Sequence, residues 1–438
     1  MVVLLHNFKN IFLVEDLRKK LFFTLMVFAI FRFGVHVSIP GVDIVALQKY
    51  FSGATSGLLS YLNLFSGGAL AQFSIFALGI SPYISSSILM QILTITIPQL
   101  EHLSKEGEYG RRIIGQYTRY LTLVIAVIQG FGAALIIEKQ PGLVLTPGWS
   151  FRLTAVLFLC VGTLFVMWLG EQVNTHGIGN GSSMIIFAGI VASLPAAIIK
   201  LVQQIVSGQA DILVVLAMLV FTLLVISCVI FLEKGERKVS VQYAKRVVGN
   251  KLYGGQTSFI PIKLNPSGVV PVIFSTTILS LPVTVLGWMA VKWPSLNAAI
   301  MGLSSGTSVL YNVLNAGLIV FFAFMYTSII FNPVDIADNL RKSGGSIPGI
   351  RPGQKTAQFF EYLLARICFP GALYLAILAI LPTLLAGSGV FPMIFSGVSL
   401  LIVIGVALDT SAQIESHLIE RKYEGFLSSG RLKGRLGR

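Results

Sequence analysis

Residues 212–232 read ILVVLAMLVFTLLVISCVIFL, which is 21 residues in a row without a charge. An α-helix needs about 20 mainly apolar residues to cross the hydrocarbon core of a bilayer, so this run predicts a membrane-spanning helix. Nine further runs on either side of it have the same character. The ten predicted spans are 20–38, 73–94, 114–136, 152–170, 183–205, 212–232, 268–290, 310–331, 361–384 and 392–410.

The composition of the whole chain agrees with a polytopic membrane protein. Of its 438 residues, 55% are apolar and 11% are charged, against about 25% charged residues in soluble domains, and the mean hydropathy is +0.82. This argues against a soluble enzyme, a nucleic-acid-binding module and a disordered chain. Cys160, Cys228 and Cys368 lie far apart in apolar stretches, a pattern that indicates neither disulfides nor a metal site.

The basic residues predict the orientation of the spans. No small-x-small cleavage site follows the first apolar run, so we expect that run to stay as a helix. With the N-terminus inside, 26 of the 32 lysines and arginines fall on the inner side and six on the outer side. Cytoplasmic loops carry such an excess, so both termini are expected in the cytoplasm. The inner side then holds two long basic loops, 233–266 and 332–360, and a basic tail, 411–438.

Ten spans divide into two halves of five, 1–205 and 206–410. Because five is odd, the second half starts on the opposite side of the membrane, and related halves would form an inverted repeat. The expected fold is therefore an all-α polytopic membrane protein with two pseudo-symmetric inverted halves. Between spans 1 and 2, the Gly-bracketed segment 53–72 is apolar but too broken to span. Such a segment persists at membrane depth only inside protein or along a cavity, so we expect a re-entrant piece.

Enzyme motifs are missing from the sequence. The five histidines are scattered without metal-ligand spacing, and no GxSxG is present. The Gly-rich stretch GIGNG at 177–181 lacks the Lys-Ser/Thr of a phosphate-binding loop, and we interpret it as a tight turn with Asn180 or Ser182 capping the next helix. Secondary transport of a small solute is the alternative function, although the span centres hold almost no ionisable residue of the kind transporters use.

Several motifs resemble one known family along nearly the whole chain. They read GISPYISSSI at 79–88, EGEYGRR at 106–112, YTRY at 117–120, MWLGEQ at 167–172, GIGNG at 177–181, VQYAKR at 241–246, GVVPVIF at 268–274, FNP at 331–333, IPGIRPG at 347–353 and YEG at 423–425. Each motif alone is weak, but their order and their placement on a ten-span map are specific. The sequence is similar to the SecY/Sec61-alpha family, the channel subunits of protein translocases.

The resemblance implies a fold, a function and partners. The two halves would form a clamshell around an hourglass pore in the cytoplasmic membrane, with one side opening laterally to membrane lipids. Signal sequences and nascent or unfolded polypeptides would pass through it. SecE and SecG would complete a heterotrimer, and the SecA motor or a ribosome would dock on the basic loops. No cofactor is implied.

The resemblance also assigns roles to individual residues. The pore ring would consist of Ile80, Ile84, Ile186, Ile273 and Ile402, with Ser182 where the family often has a sixth isoleucine. The plug would span about 57–68 and include Gly57, Leu58, Leu59, Leu62, Phe65, Gly67 and Gly68. The lateral gate would use Ser85, Ser86, Ile88, Gln91, Thr276, Thr277 and Leu281. Docking of the motor or ribosome would use Lys245, Arg246 and Arg351.

Elementary physics supports an apolar ring independently of the resemblance. A narrow apolar constriction loses its water and so blocks ions. It also offers no fixed hydrogen-bond partner to a chain of arbitrary sequence, so a passing polypeptide has nothing to bind tightly.

Overall fold

The fold is described from a computed structural model. The structure describes residues 14–53, 63, 66–138, 140, 142–208, 211–243, 246–248, 251–253, 257–289, 302, 308–387 and 397–429. Its helices are α1 Glu15–Val35, α2 Ile44–Gly53, α3 Ser81–Thr96, α4 Pro98–Lys105, α5 Glu108–Glu138, α6 Trp149–His176, α7 Gly181–Val206, α8 Ile212–Glu233, α9 Val270–Met289, α10 Val309–Ile330, α11 Pro333–Lys342, α12 Gln354–Gly387 and α13 Gly397–Ser429. Its strands are β1 Glu236–Tyr243, β2 Arg246–Val248, β3 Lys251–Tyr253, β4 Thr257–Lys263 and β5 Gly345–Ser346.

The long apolar helices confirm a multi-pass membrane protein. Within the described residues, seven helices are long and apolar enough to span, and the bent pair α3–α4 adds an eighth if it is one broken span. The seven are α5, α6, α7, α8, α10, α12 and α13. The two remaining predicted spans, 20–38 and 268–290, fall on α1 and α9. The ten predicted spans thus each have a helix, while the count of ten membrane crossings stays a prediction.

The second predicted span starts later than expected. It was expected from residue 73, but the helix begins at Ser81, after a 3₁₀ turn at Leu70–Gln72. Left-handed backbone at Phe73 (φ 39°) and Gly79 (φ +56°) interrupts any helix before that point. Pro82 then fits the first turn, where its missing N–H costs nothing. The helix ends at a bend of 100° between α3 and α4.

Helix α8 has the clearest features of a helix whose surface contacts lipid. Asp211 caps it, because its carboxylate accepts a hydrogen bond from Leu213 N at 3.2 Å. The helix is apolar all round. Among its described residues, the buried ones are Val225, Val229 and Glu233, so most of its apolar surface is exposed. In water such exposed apolar surface would favour aggregation, whereas lipid tails solvate it without cost.

The chain divides into two compact units. Unit 1 comprises Met1–Thr55, Leu59–Leu194 and Val406–Arg438. Its core joins α2, the 3₁₀ turn, α5 and α6 through residues such as Leu47, Phe73 and Leu159. Ion pairs hold α5 to α6 near both ends, Arg119 Nε to Glu171 Oε1 at 2.9 Å and Arg152 Nε to Glu138 Oε2 at 2.6 Å. The first pair explains why the motifs YTRY and MWLGEQ each contain a charged residue.

Unit 2 comprises Ser56–Leu58 and Pro195–Gly405. Here the two long basic loops fold together, which the sequence interpretation did not anticipate. Strands β1 and β4 pair antiparallel with Val239 opposite Ile260, and β5 adds to β1 with Ser346 opposite Gln242. This sheet, α11 and the first turns of α12 share an apolar core, and we call them the loop module. Its core residues are Val239, Val241, Ile262, Leu340, Ile347, Phe360, Leu363, Leu364 and Ile367.

Candidate functional site

The predicted plug is described only at its C-terminal end. Gly57, Leu58, Leu59, Leu62 and Phe65 lie outside the described residues. Gly67 (φ +67°) and Gly68 (φ +89°) are both left-handed, a conformation that favours glycine.

Two contacts fasten this glycine pair inside unit 1. The Arg32 guanidinium of α1 donates through Nη1 to the carbonyl oxygen of Gly67 at 2.7 Å. A Cβ at Gly67 would lie 2.8 Å from Gly189 Cα, so the backbone passes directly against α7. The residues around it brace the turn, since Asn63 Oδ1 accepts from Ala71 N at 2.8 Å. The C-terminal boundary of the segment is therefore held by α1 and α7.

Three predicted ring residues belong to unit 1. Ile80 is 3% exposed and lies at the N-cap of α3, and Ile84 follows it one turn later. Ile186 is 1% exposed in α7. A methyl group on Gly170 of α6 would lie 3.5 Å from Cδ1 of Ile80 and equally close to Cδ1 of Ile185, the neighbour of Ile186. Ile80 and α7 therefore pack toward the same glycine.

The other two predicted ring residues belong to unit 2. Ile273 is 5% exposed in α9 and Ile402 is 0% exposed in α13. The two helices approach closely, since a Cβ at Gly405 would lie 2.4 Å from Val269 Cγ1. Ile273 and Ile402 each lie about one helical turn from that contact. Assignment of the five isoleucines to one ring stays a prediction.

The predicted gate residues that the structure describes are mostly buried, and several of their hydroxyls donate to carbonyls of their own helix. Ser85, Ser86 and Ile88 of α3 are at most 1% exposed, and Thr276 and Thr277 of α9 are 8% exposed. The hydroxyl of Ser85 donates to Ser81 O at 3.1 Å, and that of Thr277 donates to Ile273 O at 2.7 Å. Gln91 is half-buried, and the Leu281 side chain lies outside the described residues.

The glycine-rich turn 177–181 is a junction of several helices in unit 1. Asn180 caps α7, as expected, because its Oδ1 accepts from Ser182 N at 3.2 Å and from Ser182 Oγ at 2.7 Å. Ser182 was predicted as the alternative cap, and it instead donates to the cap. Ser182 thus supports the helix cap at the position where the resemblance would place a sixth isoleucine.

Side chains from three other helices complete the junction, and the sequence interpretation missed all three. Thr24 Oγ1 of α1 accepts from Ile178 N at 3.1 Å. Asn174 Oδ1 of α6 accepts from Gly181 N at 2.7 Å, and Gln413 Oε1 of α13 accepts from Gly179 N at 2.9 Å. Polar side chains on otherwise apolar helices were the available signal, but their partners lie as far as 234 positions away in the chain.

Substitution of Gly181 should damage this junction. A Cβ there would lie 1.9 Å from the carbonyl oxygen of Gly170, so Gly181→Ala forces α6 and α7 apart. Overpacking of this kind typically costs about 1–3 kcal/mol. We expect a lower melting temperature and less intact protein, measured by fluorescence-detected size-exclusion chromatography after heating. Gly115→Ala in α5 is the control, since no atom lies within 4 Å of its added Cβ. Equal melting temperatures for the two variants would contradict the prediction.

Of the predicted docking residues, Arg351 is the one whose setting is clear. Its side chain is exposed on the turn of the loop module that leads into α12. Pro348 and Pro352 make the turn rigid by fixing φ on either side of Arg351, and Thr356 Oγ1 donates to Arg351 O at 3.0 Å. Arg246 begins strand β2, and Lys245 lies outside the described residues.

Exposed basic residues are spread over the loop module, Arg351 among them. They are Arg237, Lys238, Lys263, Arg341, Lys342, Arg351 and Lys355. No ion pair between described residues engages any of them. Exposed acids are present too, at Glu236, Asp335, Asp338 and Glu361. The module thus has the net positive surface that suits an anionic macromolecule.

Comparison with known proteins identifies the family. The SecY family model matches residues 74–411. The chain is 43% identical over 424 residues to the protein translocase subunit SecY of Escherichia coli K12, covering 96% of each chain. It is 41% identical over 425 residues to that of Aquifex aeolicus, covering 96% of this chain and 98% of the relative. The Streptomyces galbus protein of the same name is 44% identical over 448 residues, covering 97% and 100%.

Solved structures agree on the fold. A structure described as a protein-conducting channel has a TM-score of 0.63 at 15% identity, with 95% of both chains covered. Sec61 from the canine ribosome–channel complex of the endoplasmic reticulum has a TM-score of 0.59 at 14% identity, again with 95% of both chains covered. From its sequence relatives and the match over residues 74–411, this chain belongs to the SecY family.

Proposed function

We propose that the chain is the channel-forming subunit of a Sec protein translocase. It would pass unfolded secretory polypeptides across the cytoplasmic membrane and release membrane-protein helices sideways into the lipid. The observation that carries this proposal is the 43% identity, over 96% of both chains, to a protein translocase subunit. The family is one of channels rather than enzymes, and small-solute transport, the alternative from sequence, is not favoured by these relatives.

The proposed pore lies between the halves 1–205 and 206–410, with the tail 411–438 beyond them. Ile80, Ile84, Ile186, Ile273 and Ile402 would form its constriction, and the segment 57–68 would close it as a plug. Support comes from the burial of four of these isoleucines and from the tight anchoring of Gly67 by Arg32. An apolar constriction would hold back ions while a polypeptide slides through.

The driving force would come from a partner. The turn 177–181, the Gly-rich stretch that most resembles a phosphate loop, is occupied by helix contacts instead. We infer that the SecA motor or a ribosome docks on the loop module, and that SecE and SecG bind within the membrane. Among similar folds are ribosome-bound channels, a yeast Ssh1 complex being one. The module would face the cytoplasm with both termini, in keeping with the excess of basic residues on that side.

The proposal includes a lateral seam, which can be tested by locking it. A signal sequence is an apolar helix that must reach lipid, so two faces of the channel must separate. The family resemblance places this seam between α3 with α5 and α9 with α10. Ser85→Cys with Leu281→Cys, in a background without Cys160, Cys228 and Cys368, should form a disulfide at rest. Oxidation should stop both secretion and insertion of membrane helices into inverted vesicles, and reduction should restore them.

A spacer-length crosslinker at the same two positions is the matched control and should permit transport. If the short bridge forms completely and transport continues, the seam does not lie between these helices.

A further inference from the structure

One buried hydrogen bond joins the two helices that flank the proposed seam in unit 1. Ser86 Oγ of α3 lies 2.5 Å from Thr122 Oγ1 of α5, and both residues are 0% exposed. Each hydroxyl also has a carbonyl of its own helix within reach, Tyr83 O at 2.9 Å and Thr118 O at 2.7 Å. Two hydroxyl protons can serve two of these three bonds at once. When one hydroxyl donates to the other across the helices, the accepting hydroxyl donates to the carbonyl of its own helix.

Unit 2 repeats this arrangement on its own two gate-flanking helices. Ser275 Oγ of α9 donates to Asn315 Oδ1 of α10 at 2.8 Å. Ser275 is 0% exposed and Asn315 is 2% exposed. An amide side chain has two donors and one acceptor, so separation of α9 from α10 would leave polar atoms facing lipid, where no water can replace the lost partner.

Most hydroxyls of these helices behave differently. Thr94 Oγ1 of α3 donates to Met90 O at 2.7 Å, and Ser280 Oγ of α9 donates to Thr277 O at 2.6 Å, which are bonds within one helix. Bonds of that kind survive any movement of the helix as a body. The Ser86–Thr122 and Ser275–Asn315 bonds survive only if both helices of a pair move together.

We propose that Thr122 and Asn315 are positioning residues that fasten α3 to α5 and α9 to α10, so that each pair moves as one body when the channel opens laterally. This inference rests on the proposed function, because it presumes that a seam opens between the two pairs. Under this inference the channel opens only between the two pairs. A rearrangement of α3 against α5, or of α9 against α10, would break a buried bond.

A disulfide inside a pair tests the inference. The oxygen atoms of Ser86 and Thr122 are close enough for two sulfur atoms to bond after Ser86→Cys and Thr122→Cys. In the background without native cysteines, we expect oxidation to give a complete bridge, seen as a mobility shift, and transport at the rate of the reduced protein. The seam bridge between positions 85 and 281 is the matched control and should stop transport.

The outcomes separate the two proposals. If the 86–122 bridge stops transport and reduction restores it, α3 and α5 must separate and the inference is wrong, while the seam stands. Failure of that bridge to form would also overturn it. If the 85–281 bridge leaves transport intact, the seam is wrong and the inference falls with it.

A second measurement addresses the hydrogen bond itself. Thr122→Val removes the hydroxyl with little change of shape, whereas Thr122→Ser keeps it. Spin labels at the exposed positions Leu89 of α3 and Val124 of α5 report the distance between the helices. During transport we expect a broader distance distribution for Thr122→Val and the original width for Thr122→Ser. Equal widths in all three proteins would overturn the role of Thr122.

Discussion

Replacing Ile84 and Ile402 together with serine should make the channel leak ions. Each isoleucine contributes about 1.5–3 kcal/mol when it is kept from water. If roughly a third of the combined loss, about 1–2 kcal/mol, lowers the barrier to wetting, conductance rises about five- to thirtyfold. The measurement is single-channel current in a planar bilayer without a translocating chain. Deletion of residues 57–68 in the same variant should increase the leak further.

The matched control removes the same side chains from lipid-facing positions. Ile198 of α7 and Ile329 of α10 are 57% and 38% exposed, and their replacement by serine should leave conductance unchanged. Ile84 and Ile402 belong to different units, so a single substitution on either side should give a smaller leak than the double variant. An unchanged conductance for the double variant combined with the plug deletion would remove the ring hypothesis.

Arg351→Glu should abolish protein transport while the chain still inserts and assembles. A like charge placed against an anionic partner costs several kcal/mol, and each 1.4 kcal/mol is about tenfold in affinity. Folding should be unaffected, because the contact that the turn receives at Arg351 is made to its backbone oxygen, by Thr356. Secretion into inverted vesicles and binding of the motor or ribosome by sedimentation are the two measurements.

Lys342→Glu is the control for Arg351→Glu. Lys342 is also exposed and belongs to the same loop module, but it ends α11 and lies outside the rigid turn. If charge alone mattered, both variants would lose binding equally. We expect Arg351→Glu to lose far more, since the fixed turn presents that side chain in one place. Normal secretion by Arg351→Glu would leave only a role in membrane topology.

Most of the membrane-spanning helices could be predicted from the sequence, because the length of an apolar run decides whether a helix can span the bilayer. The span predicted at 212–232 is the helix Ile212–Glu233, and Asp211 caps it. The second span was placed eight residues too early, at 73 instead of Ser81, since apolarity does not distinguish a helix from the apolar turns before it.

The loop module was not predicted, because its fold depends on contacts between distant segments rather than on the length of one apolar run. Its strand β1 alternates polar and apolar residues from Lys238 to Gln242, which is the pattern of a half-buried strand. The many basic residues around this strand indicated only a charged cytoplasmic loop. Its partners in the core, such as Phe360, lie more than 100 positions further along the chain, so no local pattern connects the two loops.

The candidate site shows the same limit at the level of single contacts. The family resemblance assigned Ser86 to the gate, but it did not name Thr122, Ser275 or Asn315. Which helix each one bonds could not be predicted, because Ser86 finds Thr122 36 positions away and Ser275 finds Asn315 40 positions away. Those partners follow from how the helices pack, which spacing alone does not encode.

Helix α12 has a mechanical consequence for the loop module. It runs 34 residues from Gln354 to Gly387, a length of about 50 Å, whereas the hydrocarbon core is about 30 Å thick. Its first turns carry Phe360 and Leu364 into the core of the module, and the same helix continues as a membrane span. A partner pressing on the turn at Arg351 would therefore act on a helix that continues into the membrane, with Pro370 and Gly371 marking the point where that helix can bend. Force applied outside the bilayer would then reach the span through that bend, as a change in the angle between the two parts of the helix.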